Sequence, residues 1–326
     1  MFKRFMGVLS LGCVAMLAAL PTAACAQDFP NRPMKLVVPQ PPGGGFDSVA
    51  RQVADKLGPL LGQPVVVENR PGAGTLVGTE AVAKAPADGY TLLLGALSNI
   101  ALNPGLYPKL SYDPQKDFVP VGLAVKYSYT LVARKDLPQS SLKDLIEFAR
   151  ANPDQVTYAS AGNGSGQHIA SAVMANLAGV KVTHVPYKGA QAAYQDVIAG
   201  RVDLFFDISS TARAQVNAGT VRALAVSSRD RQAIHPAVPS VSETGVAPLE
   251  MESWFGVFAP VGTPAPALAR LRAEIDRVLV MPDLLARFEA GGGRPMRLSV
   301  AETDALVKRE IERWTRLVRD AGVKGE

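Results

Sequence analysis

The chain has 326 residues, of which 48% are hydrophobic and 19% are charged, a composition typical of a globular protein rather than a disordered or fibrous one. Because single cores stop growing at about 250 to 300 residues, this length favours two lobes. The formal net charge is +5, and it falls to +3 without Lys3 and Arg4. This excess is small and evenly mixed with acids, so the charge does not favour a nucleic-acid partner.

The first 26 residues have the pattern of a secretory signal peptide. MFKR is a short basic segment, FMGVLSLGCVAMLAAL is apolar, and Ala24-Cys25-Ala26 is a small-x-small cleavage site. We expect cleavage after Ala26 and a periplasmic protein. One alternative is an uncleaved membrane anchor, for which the apolar run is near the lower length limit. The other is lipidation at Cys25, where the preceding residues only loosely resemble a lipidation box.

From about residue 34, short apolar runs alternate with helical patterns. MKLVVP precedes a predicted helix from about Asp47 to Leu61, VVVEN precedes a helix that begins near Thr75, and TLLLG precedes a polar turn containing Ser98 and Asn99. The middle continues with helices at SLKDLIEFARAN, GQHIASAVMANLAG and AAYQDVIAG, and with strands at VTYAS, VTHVPY, VDLFFD and RALAVSS. Strands that alternate with helices predict parallel pairing and an α/β fold.

Two extended β-like segments, residues 117–134 and 252–260, do not fit this alternation. We expect them where the chain crosses from one lobe to the other and returns. The predicted lobes are residues 27–124 together with 250–326, and residues 125–249. The C-terminal part is predicted to be helical, with two apolar faces formed by Leu268, Leu271, Ile275 and Leu279, and by Val307, Ile311, Trp314 and Val318.

Motifs of several enzyme classes are incomplete. The mature chain contains no Gly-Lys pair, which a phosphate-binding P-loop requires. Gly43-Gly44-Gly45 lacks the later glycine of a dinucleotide fingerprint, and Gly72-Ala73-Gly74 has the wrong spacing. Both cysteines lie in the predicted leader, and the three histidines have no short ligand spacing, so we expect neither a metal nor a cofactor.

Polar turns of small residues follow several predicted strands: PPGGGFD, GALSN, SAGNGSGQH, PYKG and FDISS. In open α/β sheets, ligands bind at the carboxyl ends of the strands, where helix N-termini favour an anion. The sequence therefore predicts a ligand cleft. Asp47 is interpreted as an N-cap or first-turn acid. Asp207 either caps the helix that follows it or points into the cleft.

The order of motifs resembles the Bug family, the extracytoplasmic substrate-binding receptors of tripartite tricarboxylate transporters. The motifs that carry this resemblance are RPMKLVVPQPPGGGFD, GQPVVVENRPGAG, DGYTLL, NPGLY, YDPQKDFVPV, YASAGNGSGQH, HVPYKG and SWFGVFAPVGTP. The resemblance implies a two-lobed type II periplasmic binding-protein fold that closes by hinge motion on a small carboxylate. It also implies delivery of this ligand to inner-membrane transporter subunits. We expect a monomer.

In such receptors, the loops that correspond to residues 42–47 and 162–167 hold a ligand carboxylate, largely through backbone groups and water. Phe46 departs from the usual Thr or Ser, and its ring is expected to favour an aromatic or apolar ligand body. Replacement of Gly44 by Val is expected to abolish binding. The predicted ligand-binding residues are Pro42, Gly43, Gly44, Gly45, Phe46, Leu76, Ser98, Gly162, Asn163, Gly164, Ser165, Gln167, His168, Tyr187 and Asp207.

Two other functions remain open at this point. An exported hydrolase or isomerase would use Ser165, His168 and Asp207, although the serine lies only three residues from the histidine and lacks a nucleophile elbow. A ligand-sensing receptor for a signalling partner would share the sequence features of a transport receptor equally.

Overall fold

The computed structural model describes residues 29–325, so the predicted signal peptide and its cleavage after Ala26 lie outside the described residues. The strands are β1 (Met34–Val38), β2 (Val65–Asn69), β3 (Thr91–Ala96), β4 (Phe118–Arg134), β5 (Thr157–Ser160), β6 (Thr183–Pro186), β7 (Leu204–Ile208), β8 (Val221–Val226), β9 (Glu252–Pro260) and β10 (Arg294–Pro295). The helices are α1 (Gly45–Leu61), α2 (Leu76–Ala83), α3 (Asn103–Leu106), α4 (Leu142–Ala151), α5 (Gly166–Ala178), α6 (Ala190–Ile198), α7 (Ser209–Asn217), α8 (Ala265–Val278), α9 (Pro282–Ala290) and α10 (Val300–Asp320). The 3-10 turns Ala73–Thr75 and Ser242–Thr244 and the π-helical segment Leu97–Leu102 complete the set.

The strands form two sheet halves that share β4. In the first half, β1 lies parallel between β2 and β3, and β9 pairs antiparallel with β3 and with residues 118–128 of β4. In the second half, β5 lies parallel between β6 and β7, while β7 and β8 pair antiparallel with residues 129–134 of β4. The parallel pairs within each half are those that the alternation of strands and helices predicts.

The chain passes from the first half to the second inside β4, as the extended run 117–134 predicted. It returns between β8 and β9, where the Ser227 N–H donates to the Tyr129 carbonyl at 2.8 Å. The other predicted crossover, residues 252–260, forms β9 and lies wholly in the first half. The exact lobe boundaries remain a prediction.

Helix α1 illustrates how the sequence builds these layers. Its apolar residues recur at helical spacing, and the whole stripe is buried against the sheet: Val49, Ala50, Val53, Leu57 and Leu61. The helix begins two residues earlier than predicted and ends at Gly62, whose φ of 69° is left-handed. Asp47 lies in the first turn, as predicted, where it accepts hydrogen bonds from the Gly43 N–H and from Arg51.

The predicted polar turn around Ser98 and Asn99 is instead a buried π-helical segment. The Asn99 side chain makes burial possible because its Oδ1 accepts from the Ala96 N–H at 2.8 Å and its Nδ2 donates to Thr79 at 3.1 Å. Buried polar groups are tolerated when they are paired in this way. This segment carries Ser98 to the junction between the halves.

The C-terminal helices pack as their periodicity predicts. Leu271, Ile275, Trp314 and Val318 are fully or almost fully buried. Helix α10 begins with a capping box in which Ser299 and Glu302 bond each other's backbone N–H groups. Within residues 29–325, no helix is both long and apolar enough to span a membrane.

Candidate functional site

A cavity of about 470 Å³ opens between loops from the two sheet halves. The first half contributes the loops that follow β1 and β2, and the second half contributes the loops that follow β5 and β6. The lining residues are Pro39, Gln40, Pro41, Pro71, Gly72, Ala73, Gly74, Thr75, Tyr107, Ala161, Gly162, Asn163, Tyr187, Lys188 and Gly189. The cavity thus lies beyond the carboxyl ends of parallel strands, where the sequence predicts it.

The two halves touch around this cavity. The Gly166 N–H, at the first residue of α5, donates to Ser98 Oγ at 3.2 Å, and Gln191 Nε2 donates to the Gly43 carbonyl at 3.0 Å. In both bonds, one partner lies in the first half and the other in the second. The structure is therefore closed around the cavity.

The loop after β5 is held by its own hydrogen bonds. The Gly162 N–H donates to Ser160 Oγ at 3.1 Å, the Gly164 N–H donates to His168 Nδ1 at 3.2 Å, and the Ser165 N–H donates to the Gly162 carbonyl at 3.1 Å. Because these donors already have partners, they hold the loop in shape and are not the groups that a ligand would contact in this closed state.

Two stacked histidines support this loop from behind. The rings of His168 and His184 lie 4.0 Å apart and almost parallel, and the Tyr158 ring lies beside the pair, 4.8 Å from His184 and 6.3 Å from His168. Burial lowers the pKa of His168 to about 3, with a smaller contribution from His184, and burial lowers the pKa of His184 to about 4. Both rings are therefore neutral, so that His168 Nδ1 can accept from Gly164 and His184 Nε2 can bond Ser160 Oγ at 2.7 Å.

The loop after β2 is strained. Ala73 has a φ of 43° and Thr75 a φ of 99°, in the left-handed region that residues with a Cβ seldom adopt. The conformation is held by Asn103, which donates to Thr75 Oγ1 at 3.1 Å, and by Thr79, which donates to the Thr75 carbonyl at 2.8 Å. Backbone strain of this kind persists only where the surrounding structure maintains it, and it clusters at ligand sites and switch regions.

The charge of the cavity is positive. Among the described lining residues, Lys188 is the only one with a charged side chain. The Tyr187 hydroxyl donates to Asp196 at 2.6 Å, and burial together with that carboxylate raises the pKa of Tyr187 to about 12. The cavity therefore offers a cation and neutral polar groups, which is the chemistry that suits an anion.

Only part of the predicted ligand-binding set lines the cavity: Gly162, Asn163 and Tyr187. Gly43 and Ser98 instead make the bonds between the halves. Gly164 and Ser165 shape the loop, and Ser165 caps α5 by accepting from the His168 N–H at 3.3 Å. Pro42 is exposed at the rim.

Phe46 and its neighbours belong to the packing of α1. The Phe46 ring is only 3% exposed and packs edge-on against Phe255 at 5.2 Å, in the hydrophobic core. Gly45 lies against Ile208. A Cβ atom at Gly44 would meet nothing closer than Gln40 Oε1 at 3.9 Å, so the space at Gly44 accepts a Cβ atom. The burial of Phe46 against Phe255 gives no physical basis for its expected effect on ligand choice, and the expected effect of Gly44→Val on binding stays a prediction.

Three further predicted residues lie outside the lining. Leu76 begins α2 and packs against the core. Gln167 Nε2 donates to Asp207 Oδ1 at 3.3 Å, and Thr211, in the first turn of α7, also donates to Asp207. Burial raises the pKa of Asp207, although these hydrogen bonds act in the opposite direction. Asp207 is thus a buried polar anchor for α7.

The geometry does not assemble the hydrolase candidates. Ser165 Oγ accepts from the backbone of His168, the His168 ring accepts from Gly164, and Asp207 accepts from Gln167 and Thr211. A nucleophilic serine requires a bond to its base. Within residues 29–325 there is also no group of three or more His, Cys, Asp or Glu residues placed to hold a metal ion.

Sequence reasoning missed Lys188, Tyr107 and the Gly72–Thr75 loop. The signals were present in HVPYKG, NPGLY and RPGAG, three of the motifs that carry the family resemblance. The glycines of this loop have the wrong spacing for a dinucleotide fingerprint, and that test says nothing of other ligands. The spacing of residues in the sequence does not show how close the Gly72–Thr75 loop lies to the loop after β5.

Comparisons with known proteins agree with this architecture. Residues 49–323 match the family model described as tripartite tricarboxylate transporter family receptor, TctC. The chain is similar to the protein BugT of Bordetella pertussis, with 35% identity over 315 residues that cover 96% of this chain and 97% of BugT.

Two solved structures from Rhodopseudomonas palustris are also similar. One is Rpa4515 with adipate, with 34% identity and a TM-score of 0.87, covering 91% of this chain and 99% of that chain. The other is MatC with bound malate, with 35% identity and a TM-score of 0.85, covering 89% of this chain and 100% of that chain. These matches confirm the predicted two-lobed α/β periplasmic binding-protein fold and the resemblance to the Bug proteins. The chain belongs to the family of tripartite tricarboxylate transporter receptors, TctC.

Proposed function

We propose that this protein captures a small carboxylate in the periplasm and delivers it to the membrane subunits of a tripartite tricarboxylate transporter. Family membership supports a solute-binding role, and adipate and malate are the ligands of two similar proteins. In this proposal, the ligand lies between the loops that follow β1 and β2 and those that follow β5 and β6.

The observation that carries the proposal is the composition of the cavity. Lys188 supplies the charge, and the other lining residues are small, aromatic or neutral polar. A cavity of this size holds a small organic acid, with polar groups to orient the carboxylate and apolar surface for its carbon chain. Tyr107 and Tyr187, rather than Phe46, supply the aromatic surface of the cavity.

The path of the chain supports hinge closure as part of this proposal. In this proposal the lobes are residues 27–124 with 250–326 and residues 125–249, and they rotate about β4 and the return segment between β8 and β9. The bonds from Gly166 to Ser98 and from Gln191 to Gly43 would form on closure and break on opening.

A thermal-shift screen of the exported protein tests the ligand class. Adipate, malate and benzoate are compared with their neutral amides and with sugars at matched ionic strength. We expect at least one acid to raise the melting temperature in proportion to the logarithm of its concentration, and its amide to have a much smaller effect. Stabilisation by sugars, cations or nucleotides alone would contradict the proposal.

Delivery and assembly need separate measurements. Light scattering is expected to give the mass of a monomer that lacks residues 1–26.

Immobilised protein is expected to retain the transporter's membrane subunits when the acid is present, and retention of a sensor protein instead would favour the signalling alternative. X-ray scattering should show a smaller radius of gyration with ligand.

A further inference from the structure

Tyr107 stands at the meeting point of the two halves. It follows α3, and its N–H donates to the Asn103 carbonyl at 3.0 Å. The C-terminal segment passes beside its ring, since the Gly325 N–H donates to the Leu106 carbonyl at 3.0 Å. The phenol is therefore held in place from both sides and extends to the cavity wall.

The Tyr107 hydroxyl lies between one loop of each half. A Cβ atom placed on Gly74 would lie 3.0 Å from Tyr107 Oη, and one placed on Gly164 would lie 2.9 Å from it. Gly74 belongs to the strained loop after β2, and Gly164 belongs to the loop that the stacked histidines support. The hydroxyl is enclosed between these two loops, so a ligand acceptor would meet it when the halves are apart and would then be held between both halves as they close.

The hydroxyl is buried and has no hydrogen-bond partner among residues 29–325. An unpaired buried hydroxyl lowers the stability of a protein, so such groups call for an explanation. Burial raises the pKa of Tyr107, which keeps the phenol protonated and able to donate. Nearby donors of the β5 loop, Gly162, Gly164 and Ser165, already have partners.

We propose that the Tyr107 hydroxyl is a ligand-binding donor that contacts an anionic oxygen of the bound carboxylate. This proposal rests on the proposed function and adds a specific contact to it. The ligand supplies the acceptor that the protein lacks, and it does so where the two halves meet. Ligand binding and closure are thereby coupled through one oxygen atom.

The test compares Tyr107→Phe with Tyr112→Phe. Tyr112 is a matched control because its hydroxyl is also buried but is paired with the Asn99 carbonyl and with Asn103. The melting temperature without ligand and the Kd for adipate, malate and benzoate are measured for the wild type and both variants.

We expect Tyr107→Phe to keep or raise the melting temperature without ligand, because it removes an unpaired group, and to raise the Kd by about tenfold or more. We expect Tyr112→Phe to lower the melting temperature and to leave the Kd of the folded protein unchanged. If Tyr107→Phe binds as tightly as the wild type, the proposal is overturned while the carboxylate function stands. If the wild type binds none of the three acids, the proposed function fails and the Tyr107 contact fails with it.

Discussion

Gly74 and Asn163 approach each other so closely across the cavity that a single added Cβ atom on Gly74 would collide with the Asn163 carbonyl oxygen. The two residues lie on loops of different sheet halves. The closed arrangement therefore requires glycine at position 74, for a steric reason as well as for its φ of 62°.

The first prediction follows from this contact. Gly74→Ala should hinder closure, because the added Cβ atom would displace the Asn163 carbonyl. We expect the ligand Kd to rise by about tenfold or more, which corresponds to about 1.4 kcal/mol of binding free energy. Gly62→Ala is the matched control, because Gly62 has a φ of 69° but a Cβ atom there would meet nothing within 4 Å. Both variants should share the cost of about 1 to 2 kcal/mol for left-handed backbone.

Calorimetric titration and X-ray scattering distinguish the two variants. We expect Gly62→Ala to keep the wild-type Kd and the ligand-induced compaction, and Gly74→Ala to lose both. Equal effects of the two substitutions would show that the contact with Asn163 does not limit closure.

The second prediction concerns the bond between Ser98 and Gly166. Ser98→Ala removes the acceptor that pairs with the first N–H of α5 in the closed state. The Kd should rise about fivefold, which corresponds to about 1 kcal/mol for one hydrogen bond. Ser171→Ala is the control, since Ser171 bonds the Gln167 carbonyl within α5. If both variants lower stability equally and neither changes the Kd, the Ser98 bond does not contribute to closure.

The third prediction tests the charge of the cavity. Lys188→Gln should raise the Kd for a carboxylate about fivefold at low salt and weaken the dependence of the Kd on salt, because an exposed charge pair contributes up to about 1 kcal/mol and is screened. Lys181→Gln removes the same charge from an exposed position outside the lining. A neutral amide should bind both variants alike, and an unchanged salt dependence in Lys188→Gln would remove Lys188 from the site.

The fourth prediction concerns acid stability. The pKa values of His168 and His184, about 3 and about 4, lie below the ordinary value of 6.5, so the folded protein binds fewer protons than the unfolded chain in this range. Their contribution to stability is complete above about pH 6.5. It is lost as the pH falls towards 4, with a slope of up to about 1.4 kcal/mol per pH unit for each ring.

Urea unfolding between pH 4.5 and 7.5 measures this slope. In the double variant H168N/H184Q, amide groups take the places of the acceptor nitrogens that face Gly164 and Ser160. The stability of the double variant should depend less on pH than that of the wild type. Identical slopes for the two proteins would show that the histidines are not held neutral.

Much of the fold was predictable because local patterns and tertiary packing agree. The apolar stripe of α1, the apolar face of α10 and the β-rich run that forms β4 each specify their element within a short window. The family motifs identified the receptor, and the edge of the sheet where the cavity lies follows from the alternation of strands and helices.

The individual site residues were less predictable. Phe46 is adjacent to the glycine-rich loop in sequence, yet α1 turns its ring onto Phe255 in the core. Lys188 and Tyr107 follow different elements of different halves, and nothing in the local sequence of either indicates that they share a cavity.

From the order of its residues alone, this chain can be recognised as an α/β receptor with polar loops at the carboxyl ends of its strands. The spacing of apolar residues and the local composition each act over a few residues, and the α/β pattern and the polar loops depend only on such local properties. Which loops meet, which N–H groups are already paired and which hydroxyl is left without a partner were decided only when the two halves closed. Those properties depend on distances between segments far apart in sequence, such as Gly74 and Asn163 or Ser98 and Gly166, and only packing brings these segments together.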